Sequence, residues 1–362
     1  MLRRDAASIA VIVVGSLFVL SAVADAQPVL VSVDFPQIGE YRLMHHSAGE
    51  PLPVSAFTME GSPQVWDFTV VSAADLTGVS RIDYETPAAS GLGGDALFPA
   101  AEFATRFQSL GSGASPTWRF FAYSASGRVE YGRLDPADEF PVSELDPPVL
   151  DHPLPMSLGS SWIEEFSAGE FLVSHFHRES SADAWGTAVL PELGVIDCLR
   201  VARLITQEDF VDDGSGTLIP IGSFTYRTYT WIGSGVGELA TIVSDLVEGG
   251  EPPRNFAEAI SLSMTVEAGV APPLSFARGD VTGDGLHDLA DPIQTISFLF
   301  EGMPLDCPAV ADANGDGLLD CSDAIYLLTH MFTLGPPPPA PYPNCGVVGS
   351  TPLACVFSSE CP

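Results

Sequence analysis

Two stretches of this chain carry oxygen-bearing side chains at the spacing a hard divalent cation needs. The first is DVTGDGLHDLAD, Asp280 to Asp291; the second is DANGDGLLDCSD, Asp312 to Asp323. Ca²⁺ takes about six to eight oxygen ligands, and a twelve-residue loop offers them at positions 1, 3, 5, 7, 9 and 12. In the first loop these are Asp280, Thr282, Asp284, the Leu286 carbonyl, Asp288 and Asp291. In the second they are Asp312, Asn314, Asp316, the Leu318 carbonyl, Asp320 and Asp323. Position 6 needs a sharp turn at positive φ, and Gly285 and Gly317 stand there. One such run would read as a solvated turn. Two in register, repeated from Asp280 to Asp312, predict two bound calcium ions. Thr282 is a hydroxyl where Asp or Asn is usual, so the first loop is expected to bind more weakly.

Other residues offer less. His175, His177 and Glu179 alternate along a predicted strand and share one face. That face could present two imidazoles and a carboxylate to a metal, but a solvated polar face backed by Phe176 is the preferred reading. His45 and His46 point to opposite faces if extended. Glu164-Glu165 reads as a solvated strand edge or turn, and no carboxylate pair stands out for glycoside hydrolysis. Cys198 lies in an apolar run and reads as a buried, inert thiol. No nucleophile elbow, zinc-protease motif or phosphate-binding glycine loop occurs, so no catalytic residue is nominated.

Each calcium loop is followed by an amphipathic run. Ile293, Ile296, Phe298, Leu299 and Phe300 follow the first; Ile325, Leu328, Met331 and Phe332 follow the second. A module this small buries little core, so metal binding should couple to its folding. Cys307, Cys321, Cys345, Cys355 and Cys361 crowd the C-terminal region, which suggests disulfides in an exported chain. Five is odd, so one thiol is free, pairs with another chain or pairs with Cys198.

The duplicated loop-helix, with Asp at position 12 and a linker before it, resembles a type I dockerin. The resemblance covers about residues 276–345. Phe276-Ala-Arg-Gly-Asp280, Ala311 to Gly317, Asp323 to Leu328 and the following proline tract resemble dockerin-like modules that end secreted bacterial proteins, as in planctomycetes. The resemblance implies two calcium ions and a cohesin-like partner or cell-surface component. It places partner contacts at loop positions 10 and 11, here Leu289, Ala290, Cys321 and Ser322. These are not the Ser-Thr pairs of the best-known cellulosomal type.

The rest of the chain sets the context. There are 47 acidic and 14 basic residues, a net charge of −33, and every basic residue is Arg. Such a surface excludes a phosphate-backbone partner. Residues 1–26 read as a signal peptide, with Arg3 and Arg4, an apolar Ser8–Ala24 and an Ala24-Asp25-Ala26 cleavage site. An uncleaved anchor is the alternative. No later segment is expected to span a membrane, and a secreted or cell-surface location follows.

Residues 27–268 read as a mainly β domain, an antiparallel sandwich or strongly curved sheet. Its predicted strands include Val29–Phe35, Val65–Val71, Trp118–Tyr123, Arg128–Leu134, Glu170–His177, Ile196–Ile205, Ser223–Trp231 and Glu238–Val243. Ser124–Gly127 reads as a hairpin turn, and Asp95–Leu110, with Phe98, Phe103 and Phe107 at roughly helical spacing, as a helix. Gln64 to Phe68, Pro155 to Trp162 and Val189 to Val201 resemble uncharacterised secreted β domains. Residues 269–275 read as a linker, 276–334 as the small all-α dockerin-like module and 335–362 as a proline- and cysteine-bearing tail. Function is expected to be docking of an extracellular β domain, in association with polysaccharide. The alternative is a glycosidase-like hydrolase with an appended dockerin.

Overall fold

A computed structural model describes residues 27–47, 51–110, 114–270, 275–303, 305, 307–347 and 353. The predicted signal peptide, Cys355 and Cys361 lie outside the described residues.

Twelve strands dominate the chain. They are β1 (Glu40–His46), β2 (Gly78–Glu85), β3 (Phe103–Ser109), β4 (Thr117–Ser124), β5 (Gly127–Leu134) and β6 (Val142–Pro153), then β7 (Ser161–Ala168), β8 (Leu172–Leu190), β9 (Gly194–Asp212), β10 (Leu218–Gly233), β11 (Gly237–Val243) and β12 (Ser261–Val270). Each pairs antiparallel with its neighbour in sequence, and β12 returns to β1 with Val270 opposite Glu40. The sheet is therefore a closed up-and-down barrel and not the expected sandwich. Closure removes the edges that an open sheet of this size would leave unpaired.

Three expectations along the strands fail locally. The predicted strand Val65–Val71 is extended only to Asp67, and Phe68–Val70 is a 3₁₀ turn. Val29–Phe35 is not a strand: Leu30 makes an isolated bridge to Met156 and Ser32–Asp34 is a 3₁₀ turn. Asp95–Leu110 is not a helix either. A single helical turn, Gly94–Leu97, precedes β3. Phe98 stacks on Phe120 at 4.3 Å, while Phe103 belongs to the strand.

The outer face of β8–β12 is covered by the connection between β1 and β2. Within it, Gln64–Asp67 adds to β8 as a parallel strand. Gly186 permits this approach, because a Cβ there would sit 1.9 Å from the Gln64 carbonyl. Trp66, Phe57 and Phe68 then surround Trp231, at ring separations of 5.8, 6.3 and 5.1 Å. This aromatic cluster is the centre of the largest apolar core.

The inner face is polar in the middle and apolar at one end. Arg128 on β5 reaches Glu238 on β11 at 3.1 Å. Those strands stand six places apart in either direction round a ring of twelve, so the ion pair crosses the lumen. Arg42, Asp151, His152 and Arg203 join it. Below them Leu30, Phe35 and Met156 fill the lumen against Trp162, Leu199, Val201 and Ile232. Residues 28–37 thus act as a plug, and the Arg128 guanidinium lies 4.8 Å over the Phe35 ring.

After the barrel, α1 (Ala290–Glu301) and α2 (Cys321–Thr333) pack against one another. Asp320 caps α2 by accepting a bond from the Ser322 amide at 2.7 Å. The proline tract stays with these helices. Ser275–Phe276 pairs with Gly346–Val347, and the Arg278 amide donates to the Pro341 carbonyl at 2.6 Å. Tyr342 sits edge-on to both His287 and His330. Cys307 and Cys345 each take part in a disulfide bond, whereas Cys198 and Cys321 are free. No helix among the described residues is long and apolar enough to cross a membrane.

Candidate metal centre

The two loops fold alike. Gly285 and Gly317, at position 6, have φ of 78° and 83°. In the first loop Asp280 accepts bonds from the amides of Gly283 and Gly285, at 3.1 and 3.0 Å. Asp291 receives the Thr282 amide and hydroxyl, both at 3.1 Å, and the Asp288 amide at 2.8 Å. In the second loop Asp312 accepts from Gly315, Asp316 and Gly317. Asp323 accepts from the amides of Asn314 and Asp320, at 3.3 and 3.0 Å. Positions 1, 3 and 12 are thereby brought together in each loop. Asp284, Asp288, Asp316 and Asp320 remain exposed at the rim, as do the Leu286 and Leu318 side chains.

The donor set fits a hard cation. Every predicted side-chain ligand is an oxygen donor, and Asp280, Asp291, Asp312 and Asp323 are each 3% exposed or less. Burying this many carboxylates is costly unless positive charge is supplied. Burial, with Asp312 and Asp316 nearby, pushes the Asp323 carboxyl up to about 6. Arg278 lies 3.2 Å from Asp312 and also donates to its carbonyl. Sequence reasoning missed Arg278. The signal was present, since it is the single Arg from Phe276 to the chain's end, placed among Asp residues. The carboxylates are turned onto loop amides, and no cluster of three or more His, Cys, Asp or Glu is drawn together among the described residues.

The predicted partner-contact residues Leu289, Ala290, Cys321 and Ser322 are all exposed. They belong to a wider pattern. Leu286, Ile293 and Phe300 are exposed, and so are Leu318, Ile325 and Phe332 at the equivalent places of the second repeat. Each half of the module therefore presents the same apolar stripe.

Elsewhere the candidates separate. His175, His177 and Glu179 share the outer face of β8, where His177 lies between Glu165 and Glu179 at 3.4 and 3.3 Å. His175 instead leans on Phe210, so no shared ligand point forms. Glu164 is not a solvated edge residue: it points into the lumen and accepts from Arg178 at 2.7 Å. Burial pushes the Cys198 thiol up to about 12, which suits an inert core residue.

No family model matches the chain, and no characterised protein matches it. Among solved structures, it is similar to a candidate lipoprotein from Parabacteroides distasonis ATCC 8503. That likeness has a TM-score of 0.32 at 10% identity and covers 66% of this chain and 100% of the other. A second is to a candidate exported protein with a YmcC-like fold from Bacteroides fragilis NCTC 9343. Its TM-score is 0.28 at 10% identity, over 66% of this chain and 99% of the other. Likenesses this distant assign no activity.

Proposed function

We propose that this is an exported docking protein whose C-terminal module is folded by two calcium ions and carries the barrel to a cohesin-like or cell-surface partner. The observation that carries the reading is the duplication. Two loops bury position-1 and position-12 carboxylates, and each loop's helix offers the same exposed apolar stripe. Calcium, when bound, supplies the positive charge that those carboxylates lack. Asp280, Thr282, Asp284, Asp288, Asp291 and the Leu286 carbonyl would hold one ion. Asp312, Asn314, Asp316, Asp320, Asp323 and the Leu318 carbonyl would hold the other. The chain's own part is to set the two stripes at fixed positions once the loops are charge-balanced.

The test is calorimetry on residues 27–362 with calcium, followed by binding to the host's cohesin-like domains with calcium or EDTA. Two ions per chain and calcium-dependent binding are expected. Ile293→Asp combined with Ile325→Asp should abolish partner binding while both ions still bind. A chain that takes up no calcium, or a partner insensitive to the double change, sinks the proposal. No observation favours the hydrolase alternative.

A further inference from the structure

We propose that the unplugged end of the barrel is a binding site for a neutral saccharide. The inference is independent of the docking module. The plug closes the end where β1 begins; towards the other end, β4–β8 and the loops between them wall a cavity of about 660 Å³. Its size is that of a small-molecule pocket.

The wall chemistry narrows the ligand. Three guanidiniums face or border the cavity, and each is matched by a carboxylate. Arg119 donates to Glu130 at 2.7 Å, Arg178 donates to Glu164 at 2.7 Å, and Arg133 lies 3.8 Å from Asp138. Glu170 lines the cavity too, so the wall holds no excess of positive charge and gives an anion nothing; a cation gains little, because the other carboxylates are already held by guanidiniums. A wholly apolar ligand strips water from these pairs and returns nothing. Each pair still has hydrogen-bonding capacity to spare, because a guanidinium has five N–H groups and a carboxylate four lone-pair sites.

Aromatic faces complete the cup. Phe166 and Phe176 stack at 4.8 Å within it. Phe140 and Phe171 stack at 6.1 Å on the rim, where they are 41% and 51% exposed. A ligand that satisfies both features carries flat apolar C–H faces and many hydroxyls that donate and accept. A pyranose ring has that chemistry, and a chain of them can enter from the open side.

The experiment is calorimetry on the full exported chain, residues 27–362. The probes are neutral glucan, xylan, mannan and galactan oligosaccharides, with oligoglucuronate and laurate as contrasts. At least one neutral oligosaccharide should bind, and in EDTA as well as in calcium, which separates this site from the docking reading. Phe140→Ala and Phe171→Ala should each weaken binding about ten-fold. Both rings are exposed, so the fold should survive, and circular dichroism checks it. Val195→Ala, exposed at the plugged end, should leave affinity unchanged. The inference is overturned if no neutral oligosaccharide binds, if the double rim variant binds as the parent does, or if oligoglucuronate or laurate is preferred.

Discussion

Arg128 and Glu238 meet at 3.1 Å inside the barrel although 110 residues separate them in the sequence and six strands separate them round the wall. Arg128 also donates to Asp151 at 2.9 Å, and Arg42 lies 3.4 Å from Glu238. The pair therefore ties opposite walls through a polar layer. Glu238→Gln leaves Arg42 and Arg128 short of negative charge in a poorly hydrated place. It should cost about 3 kcal/mol, read as a lower urea midpoint with an unchanged slope.

The same layer sets the acid sensitivity. Burial holds the His152 imidazole down to about 4, against an ordinary 6.5, so the folded ring is neutral. Between those values the unfolded chain binds a proton that the folded chain refuses, and stability falls as pH drops from about 6.5 to 4. Burial disfavours the Glu238 carboxylate, yet Arg42 and Arg128 prevail and hold it at about 2, against 4.5. That contribution is present above 4.5 and is lost as pH falls towards 2. Burial holds the Glu85 and Asp323 carboxyls up at about 8 and about 6, so both take up protons on folding and offset the His152 limb. The limb is therefore read by difference: relative to His152→Gln, the parent's urea midpoint should fall between about pH 6.5 and 4.

On the proposed reading each loop takes its own calcium ion, so the two should respond separately. Asp312→Ala removes a position-1 carboxylate, and calorimetry should then count one ion where the parent takes two. Thr282→Asp adds a carboxylate to the first loop, beside Asp291. It should tighten that loop by about ten-fold, since ligand charge tunes affinity in such loops. Unchanged affinity would show that Thr282 is not a ligand.

The outer strap depends on one ring. Trp66 is 1% exposed and lies edge-on to Trp231. Trp66→Ala should cost about 3–5 kcal/mol and free the connection around it. Limited proteolysis should then cut between residues 51 and 76, where the parent chain resists.

Local chemistry was legible and closure was not. The turn at Ser124–Gly127 and the strands beside it follow from Gly and from alternating aromatic residues, and both form. The helices after the two loops also form. Phe103 and Phe107 misled, because residues four apart share a face in a strand as well as in a helix. Alternation shows that one face is buried, but not whether the sheet curls back on itself. Arg42, Arg128 and Glu238 look solvent-facing in sequence, since their partners come from distant strands. At the loops, spacing singled out Asp280, Asp291, Asp312 and Asp323, which the fold buries; Arg278 was missed because it lies outside the twelve-residue pattern.

Glu40 and Val270 are the first and last residues of the ring, and they are paired partners. The domain's entrance and exit therefore stand about one strand spacing apart, roughly 5 Å. Such a body can be spliced into a surface loop of another protein without prying that host open, taking residues 28–37 along as its stopper. It can equally be permuted, with its own ends joined and the chain reopened at a tight hairpin such as Ser124–Gly127. By this geometry the barrel and its plug form one portable cassette.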